Sequence, residues 1–204
     1  MCQHQLNSKG HVYRYYPDII ESVRVYDYSQ LIGQIPIKVN ENRFFESGYY
    51  FTDPTFFSLF SFNFIQGSLI AALDNPNAVV ITERIADKYF GDEDPMGKTL
   101  SIINGDDYMV SGIIENIPEN SHLHFDFISP INPLIEKYTW MQRWNIPHFS
   151  TYIMLSKSNN SAEVNKKILG HVKKYDPEFY KFLGSTYALE PLADIHINAH
   201  HDQV

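Results

Sequence analysis

Hydrophobic and polar positions alternate in short blocks over the first quarter of the chain, a pattern that predicts short strands joined by polar turns. Apolar-rich runs at 35–40 and 43–52 flank a polar pair at 41–42 that is suited to a hairpin turn. Before them, residues 18–24 are predicted to form a short helical turn that leads into a strand over 23–28. This part of the chain is therefore expected to be mostly sheet.

The longest clear pattern is a strand followed by an amphipathic helix. Four consecutive apolar residues at 78–81 predict a buried strand. Thr82 is placed to cap a helix over 83–90, whose apolar residues share one face, and Gly91 is placed to end it. An Asp-Pro pair at 53–54 predicts the start of another short helix, because aspartate caps helices well and proline suits their first position.

The second half of the chain combines short extended runs, one amphipathic helix and an irregular, proline-punctuated region. The predicted elements are strands at 100–103 and 108–114 around a turn at 104–107, an extended segment at 122–128, a strand at 151–155, a helix at 161–174 and a closing extended segment at 187–197. Together the patterns predict an α+β fold with mixed sheets and a few short helices.

Composition adds an aromatic, acidic character to this picture. The 204 residues are 44% hydrophobic and 15% aromatic, which is typical of a globular chain rich in strands. A formal net charge of −8 disfavours nucleic acid as a partner. No window of about 18 apolar residues predicts a membrane-spanning helix, residues 1–10 lack the apolar stretch of a secretion signal, and the single cysteine, Cys2, can form no internal disulfide.

The segment at 91–99 ends in Gly97-Lys98-Thr99, the last three residues of a phosphate-binding loop. The spacing does not fit, because the first glycine of that loop would fall at Asp92 and carboxylates would occupy the phosphate position. The segment also follows a predicted helix, whereas a phosphate-binding loop follows a strand and opens a helix. We therefore interpret it as a turn between a helix and a strand.

The same turn resembles the start of a calcium loop, with Asp92, Asp94 and Gly97 at its first, third and sixth positions. Met96 occupies a ligand position, and Ile103 stands where the bidentate glutamate should be. A solvated acidic turn is the favoured interpretation.

Two pairs of histidines have spacings found in zinc sites, His122 with His124 on a strand and His196 with His200 on a helix. Each pair is only half a site, and no His-Glu-x-x-His pattern accompanies them. The chain also has no Gly-x-Ser-x-Gly pattern, and Cys2 has no structured base beside it. The sequence predicts no catalytic residue, no metal site and no cofactor.

Aromatic residues offer the other candidate ligand surfaces, over 44–64 and around Trp140 and Trp144. Aromatic side chains on short strands and a capped helix are more often part of a hydrophobic core. We therefore expect the segment at 44–64 to serve packing.

Residues 77–100, which read NAVVITERIADKYFGDEDPMGKTL, resemble the signature of the MacB-like periplasmic core domain of MacB/FtsX-type ABC transporter permeases, in its Bacteroidetes form. Segments 51–62, 108–114 and 117–127 agree with the elements around that signature, and 192–197 is similar to the part that leads back toward the membrane. The resemblance gives a structural role to the signature residues Thr82, Glu83, Lys88, Tyr89, Phe90, Gly91, Asp94, Pro95, Gly97 and Lys98.

This resemblance implies a non-catalytic α+β domain inserted between the first two membrane helices of the permease, with a porter-like subdomain and a second, variable, β-rich subdomain. It places the domain on the periplasmic side of the bacterial inner membrane. It implies a second permease copy and a separate cytoplasmic ATPase as partners, together with a periplasmic adaptor, or a lipoprotein or peptide cargo. The implied function is transmission of ATP-driven conformational change for efflux or for lipoprotein or peptide handling.

The expected boundaries are a flexible or cloning-derived N-terminus over 1–16, the core domain over 17–199 with its variable part within about 115–160, and a tail toward the membrane over 200–204. Two alternatives from other functional classes stay open at this point. One is a stand-alone soluble ligand-binding or sensor domain, and the other is a metal-dependent hydrolase built on the histidines.

Overall fold

The computed structural model describes residues 16–102, 106–142, 149–156, 161–175, 177–183 and 189–195. Ten strands of these residues form one mixed sheet in the order β10-β1-β4-β9-β6-β8-β7-β2-β3, with β5 paired to part of β8. The strands are β1 Ile19–Asp27, β2 Ile35–Val39, β3 Asn42–Glu46, β4 Tyr49–Thr52, β5 Phe64–Gly67, β6 Ala78–Thr82, β7 Thr99–Ile102, β8 Asp106–Ile114, β9 Phe127–Pro130 and β10 Ser150–Leu155.

Among the described residues, four short helices lie between strands and two further helices follow β10. They are α1 Tyr28–Ile32, α2 Phe56–Leu59, α3 Glu83–Phe90, α4 Asn132–Lys137, α5 Ser161–Tyr175 and α6 Pro177–Leu183, with 3₁₀ turns at Thr139–Gln142 and Leu192–Asp194. The sheet and helices confirm the predicted α+β class. Among the residues described, no helix combines the length and the apolar character needed to cross a bilayer.

The chain divides into two compact units. The larger comprises Ser22–Met141 and Pro147–Tyr152, and the smaller comprises Met1–Glu21, Gln142–Ile146 and Ile153–Val204. In the smaller unit, α5 buries Val164 against Tyr16 and Ile19, which confirms the amphipathic helix expected at 161–174.

Strands in the middle of the sheet bury side chains on both faces. Along β6, Val79 and Ile81 belong to one apolar cluster, whereas Val80 belongs to another. Strands β4 and β9 follow the same alternation. Because successive side chains of a strand point to opposite faces, the two clusters lie on opposite faces of the sheet. This explains why β6 reads as an unbroken apolar run.

At the β2–β3 end of the sheet only one face is buried. Ile35, Ile37 and Val39 of β2 are at most 2% exposed, whereas Pro36 and Lys38 between them are exposed. The alternation here is the pattern of a strand with one face against the core and the other in solvent.

Several expected elements are confirmed by the structure. The β2–β3 hairpin, β6, α3, the β7–β8 pair, β10 and α5 all lie where the pattern placed them. Parallel strands β6 and β8 are joined through α3 and β7, as parallel neighbours need a long crossover. Residues 104 and 105 of the β7–β8 turn lie outside the described residues, and Asp106 and Asp107 beside them are exposed.

The helical turn expected at 18–24 is wrong, because the chain is in β1 from Ile19 onward. Val23 and Val25 of this strand are buried, and Val25 pairs with Thr52 of β4. Burial of alternate residues decides the conformation here. The helix begins later, where the Asp27 carboxylate accepts hydrogen bonds from the first backbone N–H groups of α1.

The apolar run at 43–52 is two strands rather than one. Gly48, between β3 and β4, has a φ of +73°, and a Cβ there would lie 3.3 Å from backbone atoms of Phe125 and Asp126. The chain therefore turns at a position that favours glycine. Strand β5 and helices α1, α4 and α6 were not predicted.

Two extended segments were also predicted incorrectly in part. Only the end of 122–128 joins the sheet, as β9. The closing segment at 187–197 contains the 3₁₀ turn Leu192–Asp194, whereas residues 187, 188, 196 and 197 lie outside the described residues.

Candidate functional site

The signature residues form a continuous unit of β6, α3, the turn at 91–98 and β7, called here the signature unit. Thr82 stands at the N-cap position of α3, but its side chain makes no capping bond. Its hydroxyl instead donates to Asp126 Oδ1 at 2.8 Å. The expected capping role of the Thr82 side chain is therefore wrong: the hydroxyl is oriented by the charge-assisted hydrogen bond that it donates to Asp126, and it accepts none from the helix.

A residue from another segment caps α3 in its place. Asn116, which follows β8, accepts a hydrogen bond from the Arg84 backbone N–H at 2.9 Å through Oδ1. Its amide nitrogen donates to Glu83 Oε2 at 3.4 Å. Asn116 thus satisfies a free N–H at the start of the helix, as an N-cap residue would.

Asp126 joins the start of α3 to the strands beside it. Its carboxylate accepts from the Thr82 hydroxyl and forms an ion pair with Arg84. Its backbone accepts from the Thr82 N–H at 3.1 Å and donates to the Gly48 carbonyl at 2.8 Å. One residue therefore holds α3, β4 and β9 in register.

Glu46 of β3 holds the C-terminal half of α3. Its side chain is 9% exposed, and Oε1 accepts from Lys88 Nζ at 2.5 Å and from the Tyr89 hydroxyl at 3.1 Å. Burial raises the pKa of Tyr89 above its ordinary value, and the Glu46 charge raises the pKa further. The phenol therefore stays protonated and able to donate.

Ring packing reinforces this contact. The rings of Phe44 and Tyr89 stack with centroids 4.3 Å apart, and Lys88 Nζ lies 5.7 Å from the Phe44 centroid. Signature residues Lys88 and Tyr89 therefore both contact β3, a strand that the family resemblance did not include.

The turn at 91–98 is docked on the sheet. Gly97, with a φ of +75°, donates its N–H to the Val110 carbonyl at 2.8 Å, and Val110 donates back to the Lys98 carbonyl at 2.9 Å. Lys98 Nζ lies 5.1 Å from the Phe90 centroid and pairs with Glu93, whose pKa this hydrogen bond lowers. Gly91, at a φ of +57°, ends α3 as expected.

This geometry confirms the turn interpretation over a phosphate or calcium loop. The segment follows α3 and leads into β7, and its carboxylates at 92–94 are exposed. Asp94 Oδ1 accepts the Met96 N–H at 3.1 Å, an arrangement that builds the turn locally, and Pro95 is buried beside it.

The histidines are not brought into a metal site in the part of the chain that is described. No group of three or more His, Cys, Asp or Glu side chains there could hold a metal ion. His122 packs near the rings of Phe60 and Tyr152 at centroid distances of 6.0 and 5.6 Å, and His124 is exposed. His196, His200 and Cys2 lie outside the described residues.

Most aromatic residues of the segment at 44–64 pack in the core, as expected. Tyr49, Phe51 and Phe56 are at most 1% exposed. Phe45 is the exception, with 63% of its surface exposed. Trp140 packs partly buried against the larger core cluster, and Trp144 lies outside the described residues.

Asp53 was expected to cap α2, and this is wrong. Thr55 stands at the N-cap position, and the Asp53 carboxylate instead accepts from Arg24 through the backbone N–H at 2.8 Å, Nε at 2.9 Å and Nη2 at 2.7 Å. The guanidinium geometry suits this fork-shaped contact. It ties β1 to the segment that follows β4.

Solved structures similar to this chain share its fold. A domain of a protein described as a permease, from Porphyromonas gingivalis, has a TM-score of 0.67 and 21% identity, over 85% of this chain and 72% of that one. The periplasmic region of MacB from Actinobacillus actinomycetemcomitans has a TM-score of 0.60 and 15% identity, over 93% of this chain and 97% of that one.

The extracellular domain of the noncanonical ABC-type transporter YknZ from Gram-positive bacteria has a TM-score of 0.58 and 12% identity, over 82% of each chain. No curated protein sequence matches the chain. A family model described as the MacB-like periplasmic core domain matches residues 7–170. Because that match spans most of the sequence, the chain belongs to the MacB-like periplasmic core domain family.

Proposed function

We propose that this chain is the extracytoplasmic part of a MacB/FtsX-type ABC transporter permease and that it transmits ATP-driven conformational change across the membrane. The observation that carries the proposal is the bracing of the signature unit at both ends of α3, by Asp126 and Asn116 at the start and by Glu46 near the end. A domain that transmits a displacement must move as a body. These contacts come from three separate segments of the chain.

The bracing supports a rigid unit for a physical reason. Glu46 is largely buried and satisfies two donors of α3 at once, so a shift of the helix relative to β3 would leave a buried carboxylate with fewer partners. The Asp126 contacts resist the same shift at the other end. Small displacements applied to α3 are therefore passed to the sheet rather than absorbed.

The proposed partners are a second permease copy and a separate cytoplasmic ATPase, with a periplasmic adaptor, or a lipoprotein or peptide cargo, on the periplasmic side of the inner membrane. The signature unit uses its polar residues for internal contacts, in keeping with a non-catalytic role. Efflux and lipoprotein or peptide handling are both compatible with this role.

We also propose a domain organisation. The core domain is assigned to residues 17–199, with flanks at 1–16 and 200–204. Its more variable part, meaning the part that differs most among relatives, is placed within about 115–160.

Distances between two copies in the full-length permease test this function. The permease would be purified with its ATPase in lipid nanodiscs, with Cys2→Ser and a spin label at Asp87→Cys on the exposed face of α3. We expect double electron–electron resonance spectroscopy to find a distance between the two spin labels that changes by several ångström between the nucleotide-free state and the state trapped with ATP and vanadate. An ATPase variant that cannot bind ATP is the control.

Absence of coupling between labels, or one unchanged distance in both states, would contradict the proposal. A second variant connects the result to the bracing. Glu46→Gln should reduce the ATP-driven change in the distance between the labels or broaden the distance distribution. Glu93→Gln, which alters an exposed ion pair in the turn, should leave the distance change intact.

A further inference from the structure

The exposed face at the β2–β3 end of the sheet carries an unusual set of side chains. The register pairs Pro36 with Phe45 and Lys38 with Arg43, and all four side chains are exposed on the face opposite the core. Phe45 is 63% exposed, the largest exposed fraction among the aromatic side chains described. The four residues are called here the basic-aromatic face.

Two like charges lie directly opposite each other on this face. Lys38 and Arg43 are cross-strand neighbours, and like charges in such positions destabilise a sheet. Within the described part of the chain, neither side chain has a hydrogen-bond or ion-pair partner. In a chain with a net charge of −8, these two cations therefore form no ion pair with the described residues, although Glu41 of the hairpin turn and Asp107 of β8 are in the same region.

The backbone beside this face is free to pair. Strand β3 ends the sheet among the described strands. The hairpin closes at Val39 and Asn42 around a two-residue turn, so this pair is hydrogen-bonded and the next pair, Lys38 with Arg43, is not. By the same alternation, Arg43 and Phe45 direct their N–H and C=O groups away from β2, toward the open edge.

We propose that the β3 edge binds an extended acidic segment of a partner protein, which adds to the sheet as a further strand. Its backbone pairs with Arg43 and Phe45, as in other cases of strand addition. Its acidic side chains lie on the basic-aromatic face beside Lys38 and Arg43, and an apolar side chain packs on Phe45. The proposal does not depend on the permease function.

The charges argue against two other occupants. Two copies that paired through β3 would bring two pairs of cations together on one face, so a second copy is disfavoured. An anionic membrane surface would meet the acidic field of the whole chain, whereas a single strand contacts only the β3 edge and the side chains beside it. The occupant that fits is a single acidic strand.

The test uses the 204-residue chain and a fluorescently labelled peptide that repeats Glu-Thr-Val-Thr, so that one face of the added strand carries both glutamate and valine. Binding is followed by anisotropy. Phe45→Pro removes an outward N–H that makes no bond to β2, so β3 should still form. Phe45→Ala removes the same ring but keeps the N–H. We expect Phe45→Pro to weaken binding about tenfold relative to Phe45→Ala, with circular dichroism unchanged.

Charge reversal provides a second test that does not rely on proline. Arg43→Glu should weaken binding of the glutamate peptide about tenfold and allow the same peptide with lysine in place of glutamate to bind. Lys166→Glu on α5 makes the same change of charge at another exposed site and should alter binding less than about twofold. Added salt should weaken the wild-type interaction.

Three results would overturn the proposal. The first is equal peptide affinity for Phe45→Pro, Phe45→Ala and the unaltered chain. The second is binding of vesicles containing phosphatidylglycerol, lost in Arg43→Glu, with no peptide binding. The third is self-association of the chain that Phe45→Pro abolishes while the peptide does not bind.

Discussion

In the middle of the sheet, β4, β6 and β9 bury side chains on both faces, whereas β2 and β3 at its end bury only one. The two regions belong to one sheet, in which hydrogen-bonded strands β8 and β7 lie between them. Burial on both faces leaves no side chain of a strand available for recognition. The one-sided end keeps its stability through the inner face and leaves an outer face and an edge available to a partner.

The largest predicted effect comes from a pair of phenylalanine substitutions that tests this contrast. Phe127 of β9 is 0% exposed and stacks on Tyr49 with centroids 5.3 Å apart, whereas Phe45 is 63% exposed. Phe127→Ala should lower the free energy of unfolding by about 3–5 kcal/mol, because it opens a cavity in the core. Phe45→Ala should change it by less than about 0.5 kcal/mol. Urea denaturation measures both, and equal losses would show that the β3 face is covered in solution.

In the middle of the sheet, sequence patterns predicted strand β6 and helix α3, but they did not predict the side-chain contacts that brace α3. The β6–α3 pair was predictable because the apolar run of β6, the apolar face of α3 and the helix-ending Gly91 are all visible in one short stretch of sequence. Glu46 was not, since its partners on α3 are 42 and 43 residues away and no local pattern points to them. Asn116 and Asp126 escaped prediction for the same reason.

Missed elements have different physical reasons. Strand β5 is mostly exposed, so it carries little hydrophobic pattern. Helix α4 has a proline in its first turn, a helix-start signal that was interpreted as irregular structure. In β1, helix-compatible residues near its start concealed an alternation that only pairing with β4 makes visible.

The next prediction concerns the contact that links the two regions, between β3 and α3. Glu46→Ala removes the acceptor of Lys88 Nζ and of the hydroxyl of half-buried Tyr89. The free energy of unfolding should fall by about 1–3 kcal/mol, the usual effect of leaving a buried donor without a partner. Glu93→Ala, which removes an exposed carboxylate paired with Lys98, should have no measurable effect on the urea midpoint. Equal effects of the two substitutions would mean that Glu46 does not brace α3.

A smaller effect is expected from the cap supplied by Asn116. Asn116→Ala leaves the Arg84 N–H without its acceptor at the start of α3. The expected loss in the free energy of unfolding is about 1–2 kcal/mol, typical of removing an N-cap side chain. Asn116→Asp keeps an acceptor oxygen and should retain most of the stability in a Glu83→Gln background, which removes the carboxylate that would repel it. If Thr82→Val were the more harmful change at the helix start and Asn116→Ala had no effect, the trans cap would be refuted.

The smallest predicted effect lies in the turn that sets the register of the exposed end. Asn40 has a φ of +53°, which asparagine and glycine tolerate better than other residues. Asn40→Ala should cost about 1 kcal/mol in the free energy of unfolding, whereas Asn40→Gly should cost less, because glycine has no Cβ to strain. The matched substitution Asn42→Ala, two residues on in β3, should be nearly neutral because Asn42 is exposed and has no positive φ. A loss of stability at position 42 as large as at position 40 would place the strain outside the turn. The two-residue turn would then no longer support the alternation that directs the backbone N–H and C=O groups of Arg43 and Phe45 toward the open edge.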